Sequence, residues 1–184
     1  MNAVAASARA MDAIVASETA MNAVAASATA MNIALKSSIA RNAMAASATA
    51  RSAIISNLST LDDTTKFSKT ATHVEYEGNI PHQHATDTYT APENSLLYIT
   101  EFHAWDVDRS NGGGIGTVII TAVNGNYQIM NRSDIRAHRG DTTWLLLIPN
   151  GISIGDFTVY RNYGDYGNPG QIRHEVSFTI YTAN

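Results

Sequence analysis

MNAVAASARA MDAIVASETA MNAVAASATA, residues 1–30, decides how the first third of this chain folds. Three further units, MNIALKSSIA, RNAMAASATA and the degenerate RSAIISNLST, carry the ten-residue period to residue 60. A unit this short has too little surface to bury a hydrophobic face alone. It must do so against neighbouring copies or against other chains, so a fixed decad marks a rod or an array.

Within each unit the larger apolar or small core-compatible residues recur at places 1, 4 and 8: Met1, Val4 and Ala8, then Met11 and Ile14, then Met21, Val24 and Ala28, with Met31 opening the fourth unit. Steps of three and four are helix-face spacings, and the alanine content favours helix strongly. The small polar residues between them, such as Asn2, Ser7, Asn22, Ser27, Thr29, Asn42 and Ser47, suit a solvated outer face. Ten residues turn roughly 1000°, about 80° short of three full turns, so the apolar stripe must wind. A continuous helix with this stripe calls for an overwound left-handed supercoil of several chains, about 90 Å long over sixty residues. The expectation is a coiled-coil shaft over residues 1–60, its oligomer interface made by Met1, Val4, Ala8, Met11, Ile14, Met21, Val24, Ala28 and Met31. The competing reading is one long helix lying along the chain's own globular domain. Arg41 and Arg51, at places where Met stands earlier, set the later units apart.

Composition changes after residue 60. A polar stretch over 61–71 reads as a linker or neck, and residues 72–184 form one domain in which alanine gives way to Tyr, Thr, Ile, Val and Gly. Apolar runs bounded by turn signals predict strands at 72–77, 95–105, 117–123, 126–130, 143–148, 152–160 and 173–182. Asn124-Gly125 and Asn150-Gly151 are hairpin signals, because Asn-Gly supplies the positive φ angles of a type I′ turn. Val176, Phe178 and Ile180 alternate with Ser177, Thr179 and Tyr181. So many short strands in one small domain predict an antiparallel β-sandwich of jelly-roll kind. The fold class expected is thus segregated α+β, a helical coiled-coil shaft followed by a sandwich head.

Charge and composition narrow the function. The formal net charge is −4. Arg9, Lys36, Arg41 and Arg51 outweigh Asp12 and Glu18 in the repeats, so the acidic excess lies in the second part, which argues against nucleic acid as a partner. There is no cysteine and therefore no disulfide framework, and no apolar run approaches the length of a membrane span.

An Ala-rich M-N-A-V-A-A-S-A-T-A shaft leading into a small Gly- and Tyr-rich sandwich resembles the tailed-phage fibre and receptor-binding proteins. The resemblance implies a homotrimer, a virion location after synthesis in the host cytoplasm, and heads that touch a host-surface receptor. Fibres of this kind usually carry an N-terminal docking domain. Here the repeats stand in its place, which assigns contact with a phage capsid or tail protein to the N-terminal end.

Several residue groups are candidates for the site. Pro81-His82-Gln83-His84 would place two imidazoles on one side of an extended segment. Three chains meeting there would offer six nitrogens on a threefold axis, a donor set that suits iron, nickel, copper or zinc; phage fibres and spikes hold iron through H-x-H pairs in this way. No other cofactor is implied. Receptor contact is expected from a long Tyr-rich loop, with Tyr160, Arg161, Tyr163, Asp165, Tyr166 and Asn168, and from a second loop bearing Asp108 and Arg109 with Trp105 at its base. Rings interleaved with hydrogen-bonding groups and Gly give broad, adaptable contact. No catalytic residues are expected, since the sequence holds no G-x-S-x-G, H-E-x-x-H or Walker motif. The function these features predict is a trimeric virion fibre whose head binds a host glycan or protein. The alternative is a purely structural virion component, such as a head fibre, collar or tail adaptor.

Overall fold

In a computed structural model of the chain, which describes residues 1–76, 84–106, 115–122, 135–136, 144–146, 152–163 and 172–184, the decads do not join into one helix. Each forms a separate short one: α1 (Asn2–Ala5), α2 (Ala8–Ala16), α3 (Glu18–Ala25), α4 (Ala28–Lys36), α5 (Ser38–Ala46) and α6 (Ala48–Ser56). The break falls at the same place in each unit, the serine at place 7. Ser17, for example, is extended at φ −103° and ψ 115°, and its Oγ accepts the N–H of Ala20 at 3.3 Å. Ser7, Ser27, Ser37 and Ser47 cap the helices that follow them in the same way. Serine is among the preferred N-caps because its oxygen satisfies an amide that the first turn of a helix leaves open.

Nine-residue helices are marginal alone, so their stability must come from packing. Places 10, 1, 4 and 5 of the decad lie on one helix face, and that face points inward. Met11, Met21, Met31, Leu35 and Met44 are completely buried, and Val15, Val24, Ala34 and Ile54 nearly so. Successive helices turn through a superhelix with three per turn, so that α4 packs on α1, α5 on α2 and α6 on α3. The capping serines also join the turns. The Ser37 hydroxyl donates to the Ala5 carbonyl, and that of Ser47 to the Val15 carbonyl at 2.8 Å. Asn57, at place 7 of the last unit, donates to Asn22 Oδ1 at 3.4 Å.

The expected coiled-coil shaft is therefore corrected to a short solenoid. The mismatch between period ten and the helical repeat is relieved by breaking the helix at each serine, not by overwinding it. The apolar stripe is covered by other turns of the same chain. The competing reading of one long helix fails for the same reason.

The 3-10 turn Leu58–Asp62 leads out of the solenoid, and the expected neck is already structured: β1 (Phe67–Tyr76) begins inside it. Asp63 Oδ1 accepts both the N–H and the hydroxyl of Thr65, at 2.9 and 2.7 Å. Next come β2 (His84–Tyr89), β3 (Ser95–Asp106), β4 (Ile115–Ala122), β5 (Ile135–Arg136), β6 (Trp144–Leu146), β7 (Ile152–Ser153), β8 (Phe157–Tyr163) and β9 (Ile172–Ala183). One antiparallel sheet has the order β1-β9-β3-β6, with β7 also on β3, and the other β2-β8-β4-β5. The chain crosses between sheets at most of its connections, the interleaving seen in jelly rolls. Between the sheets, the Tyr89 ring stacks on Phe157 at 4.6 Å, and Phe157 meets Phe178 edge-on at 5.6 Å.

The strand expected over 152–160 is split. Gly155, at φ 115°, turns the chain between β7 and β8, and Asp156 Oδ1 accepts the Ala91 N–H at 2.8 Å. Neither β2 nor β5 was expected. The strand expected at 126–130 and both Asn-Gly turns lie outside the described residues.

Met21→Ala should lower the unfolding free energy by about 2–5 kcal/mol, as large-to-small changes at fully buried sites do; urea unfolding followed by circular dichroism measures it. Ser47→Ala removes a cap and an inter-turn bond, whereas Ser7→Ala removes the cap alone. Ser47→Ala should therefore cost about 1 kcal/mol more.

Candidate functional site

The sheets have two unlike ends, and the solenoid occupies one of them. Asn32 stands at place 2, exposed or half-buried in the other units, yet here it is buried. Its amide donates to the Lys66 carbonyl at 2.6 Å and to the Asn184 carbonyl at 3.3 Å, where β1 begins and β9 ends. Arg41 donates to Oδ1 of Asn94 at 2.9 Å, just before β3. Apolar contact is continuous across this junction, since Phe67, Leu96, Ile152, Ile154 and Tyr181 share one cluster with the helix interior. Beside it Lys69 meets Asp62 at 2.7 Å, with its ammonium 5.3 Å from the Tyr181 ring centre. The hydrogen bond to Asp62 holds the Lys69 ammonium above its ordinary range.

The register fixes what lies at the other end. Phe67 pairs with Ala183 and Ser95 with Thr182 beside the solenoid, while Tyr76 pairs with His174 and Asp106 with Ile172 at the far side. In the second sheet His84 pairs with Asn162 and Gly116 with Tyr163, again at the far side. Thus the strand ends flanking 77–83, 107–114 and 164–171 all gather away from the solenoid. These are the segments in which the sequence placed most of its candidates.

Of the receptor candidates, Tyr160, Arg161 and Tyr163 belong to β8, the strand between β2 and β4, and so begin as sheet and not as loop. Trp105 is on β3, paired with Arg173. Asp108, Arg109, Asp165, Tyr166 and Asn168 lie outside the described residues. His84 opens β2, and His82 lies outside the described residues. Among the described residues no cluster of three His, Cys, Asp or Glu side chains could hold a metal, and no helix is long and apolar enough to cross a membrane.

The residues expected to join chains are placed within one chain. Met11, Met21 and Met31 are completely buried and Val24 nearly so; Val4, Ile14 and Ala28 are half-buried, and Ala8 and Met1 are exposed. Sequence reasoning did not find the roles of the place-7 serines, Asn32 or Asn94. The serine recurring six residues after each unit's first residue was the available signal. A groove of about 380 Å³ between α3 and α6 is lined by Glu18, Asn22, Thr49, Ser52 and Ser56, small polar groups with one carboxylate among them.

No known family model matches the chain, and no curated protein matches it.

Asn32→Ala should loosen the junction. Two carbonyls lose their donor, and stability should fall by about 1–3 kcal/mol, measured by thermal unfolding, while helix content below the transition stays unchanged. The two Thr65 hydrogen bonds hold the Asp63 carboxyl below its ordinary value. Its contribution to stability is therefore present above the unfolded-state pKa and is lost as pH falls through the lower folded value. Thr65→Ala should move the Asp63 titration upward, as read by carboxyl NMR shifts.

Proposed function

We propose that this chain is an attachment protein in which the solenoid is the base and the far end of the sheets is the binding tip, of the kind a phage particle uses to hold a host-surface glycan or protein. The observation that carries this reading is the polarity of the molecule. The solenoid is fixed to one end of the sheets through Asn32 and Arg41. The strands bearing Trp105, Tyr160, Arg161 and Tyr163 run to the other end, beside the segments that hold Asp108, Arg109, Asp165, Tyr166 and Asn168. Aromatic and amide groups on a rigid scaffold suit binding, since loops and strand ends carry function while packed elements hold them in place.

The repeats no longer require a homotrimer, because their apolar stripe is covered within a single chain. Three copies would still raise the effective concentration of weakly binding heads. Light scattering separates the cases: a particle of 19.7 kDa is one chain with one tip, and a threefold mass is a trimer. The second reading, a structural virion component, is favoured by the solenoid's own exposed end, which is described below.

Labelled protein should bind host bacteria saturably. The double variant Tyr163→Ala with Tyr166→Ala should weaken that binding by about tenfold or more, with an unchanged melting temperature. Absence of binding by the parent chain, together with tight association to a capsid or tail protein, overturns the attachment reading in favour of the structural one.

A further inference from the structure

The two ends of the solenoid are finished differently. At the end nearest the sheets, the carbonyls that a further turn would use are already taken. Arg41 donates to the Leu35 carbonyl and Arg51 to the Ala45 carbonyl. Both carbonyls are at place 5, the place whose carbonyls in Ala5 and Val15 receive Ser37 and Ser47. The change from Met to Arg at place 1 thus closes the stack by supplying from within the chain the donor that a next serine would bring.

The opposite end has no such closure. Ser7, Ser17 and Ser27 stand where Ser37 and Ser47 stand one turn later, and among the described residues their hydroxyls donate to no acceptor. Place 3 tells the same story. Ala53 is buried and Ile33 and Ala43 half-buried against the first turn, whereas Ala3, Ala13 and Ala23 are exposed. At place 10, Ala40 and Ala50 are wholly buried but Ala10 and Ala20 only half. The first turn therefore presents outward the same surface, in chemistry and spacing, that the second turn presents to the first.

We propose that this end face is a docking surface for one further turn of Ser-capped decad helices carried by another polypeptide, its uncapped place-5 carbonyls meeting the hydroxyls of Ser7, Ser17 and Ser27. The α1–α4, α2–α5 and α3–α6 packing inside the chain is the template for the contact, and the new interface continues it. A second copy of this chain is a poor occupant. Its sheet-side carbonyls are closed by Arg41 and Arg51, and its open end offers donors to donors. A solenoid end normally carries a polar cap; an end of alanine and unpaired serine is one that an added turn completes. The proposal stands apart from what the sheet tip binds.

The test uses the full chain and, as probe, a peptide with the sequence of residues 1–30, whose place-5 carbonyls are uncapped. Expected are saturable one-to-one binding, a gain of helical circular dichroism in the mixture over the sum of its parts, and NMR shifts at the methyls of Ala3, Ala13 and Ala23. Ser7→Asp, Ser17→Asp and Ser27→Asp together keep an N-cap acceptor but remove the hydroxyl donors. They should weaken binding by about tenfold or more while the chain's melting temperature is kept. A second chain, with residues 1–30 duplicated ahead of Met1, guards against a peptide too costly to order. If neither the peptide binds nor the duplicated turn becomes helical, the proposal is overturned. Ordering of the duplicated turn without binding of the peptide overturns the separate polypeptide as its source. Self-association of the parent chain through the same methyls also overturns it, by making a second copy the occupant.

Discussion

A serine hydroxyl placed every ten residues governs the architecture of this chain. As an acceptor it caps the helix that follows, and in the second turn, as a donor, it bonds a carbonyl one turn below. Either role alone would be worth about 1 kcal/mol. Their coincidence on one atom fixes where each helix starts and which helix lies beneath it. Methionine, leucine and valine supply the larger burial term, but they are adaptable in shape and do not by themselves select a period.

The departures from the repeat are as informative as the repeat. Arg41 and Arg51 interrupt the run of place-1 methionines where the stack ends, and Asn57 replaces the last capping serine with a longer donor. Asn32 is ordinary in sequence and becomes a junction residue because α4 is the helix that faces β9 and β3. The continuity of the apolar cluster from Met31 and Leu35 to Phe67 and Tyr181 makes solenoid and sheets share a single interior.

How much of this was legible follows from the physics of each element. The decads, their helical character and the inward stripe of Met11, Met21 and Val24 are readable because helix-face spacing is local. Whether a period that misfits the helix by about 80° is relieved by supercoiling or by breaking is not set by apolar spacing. It is set by the capping serine, which as a small polar residue also reads as a solvated face. β3 and β9 were legible from their apolar content. β2, with the sequence HATDTY, was not, since its alternation carries little hydrophobic signal. The junction made by Asn32, Lys66, Asn94 and Asn184 joins residues far apart in sequence, and single-chain pattern reading has no access to such pairings. Candidate residues at the tip could be named from side-chain chemistry, but their gathering at one end follows from strand order and register.

Three helices per turn give the chain a rotational clock. Inserting or losing thirty residues would lengthen or shorten the stalk while returning the last helix to the same bearing, so the asparagine and arginine that grip the sheets would still find them. A change of ten or twenty would swing that grip by a third or two-thirds of a revolution and leave the head without its seat. Stalk lengths compatible with this head are therefore stepped in units of three decads, and evolutionary variation in the repeat number should follow that step.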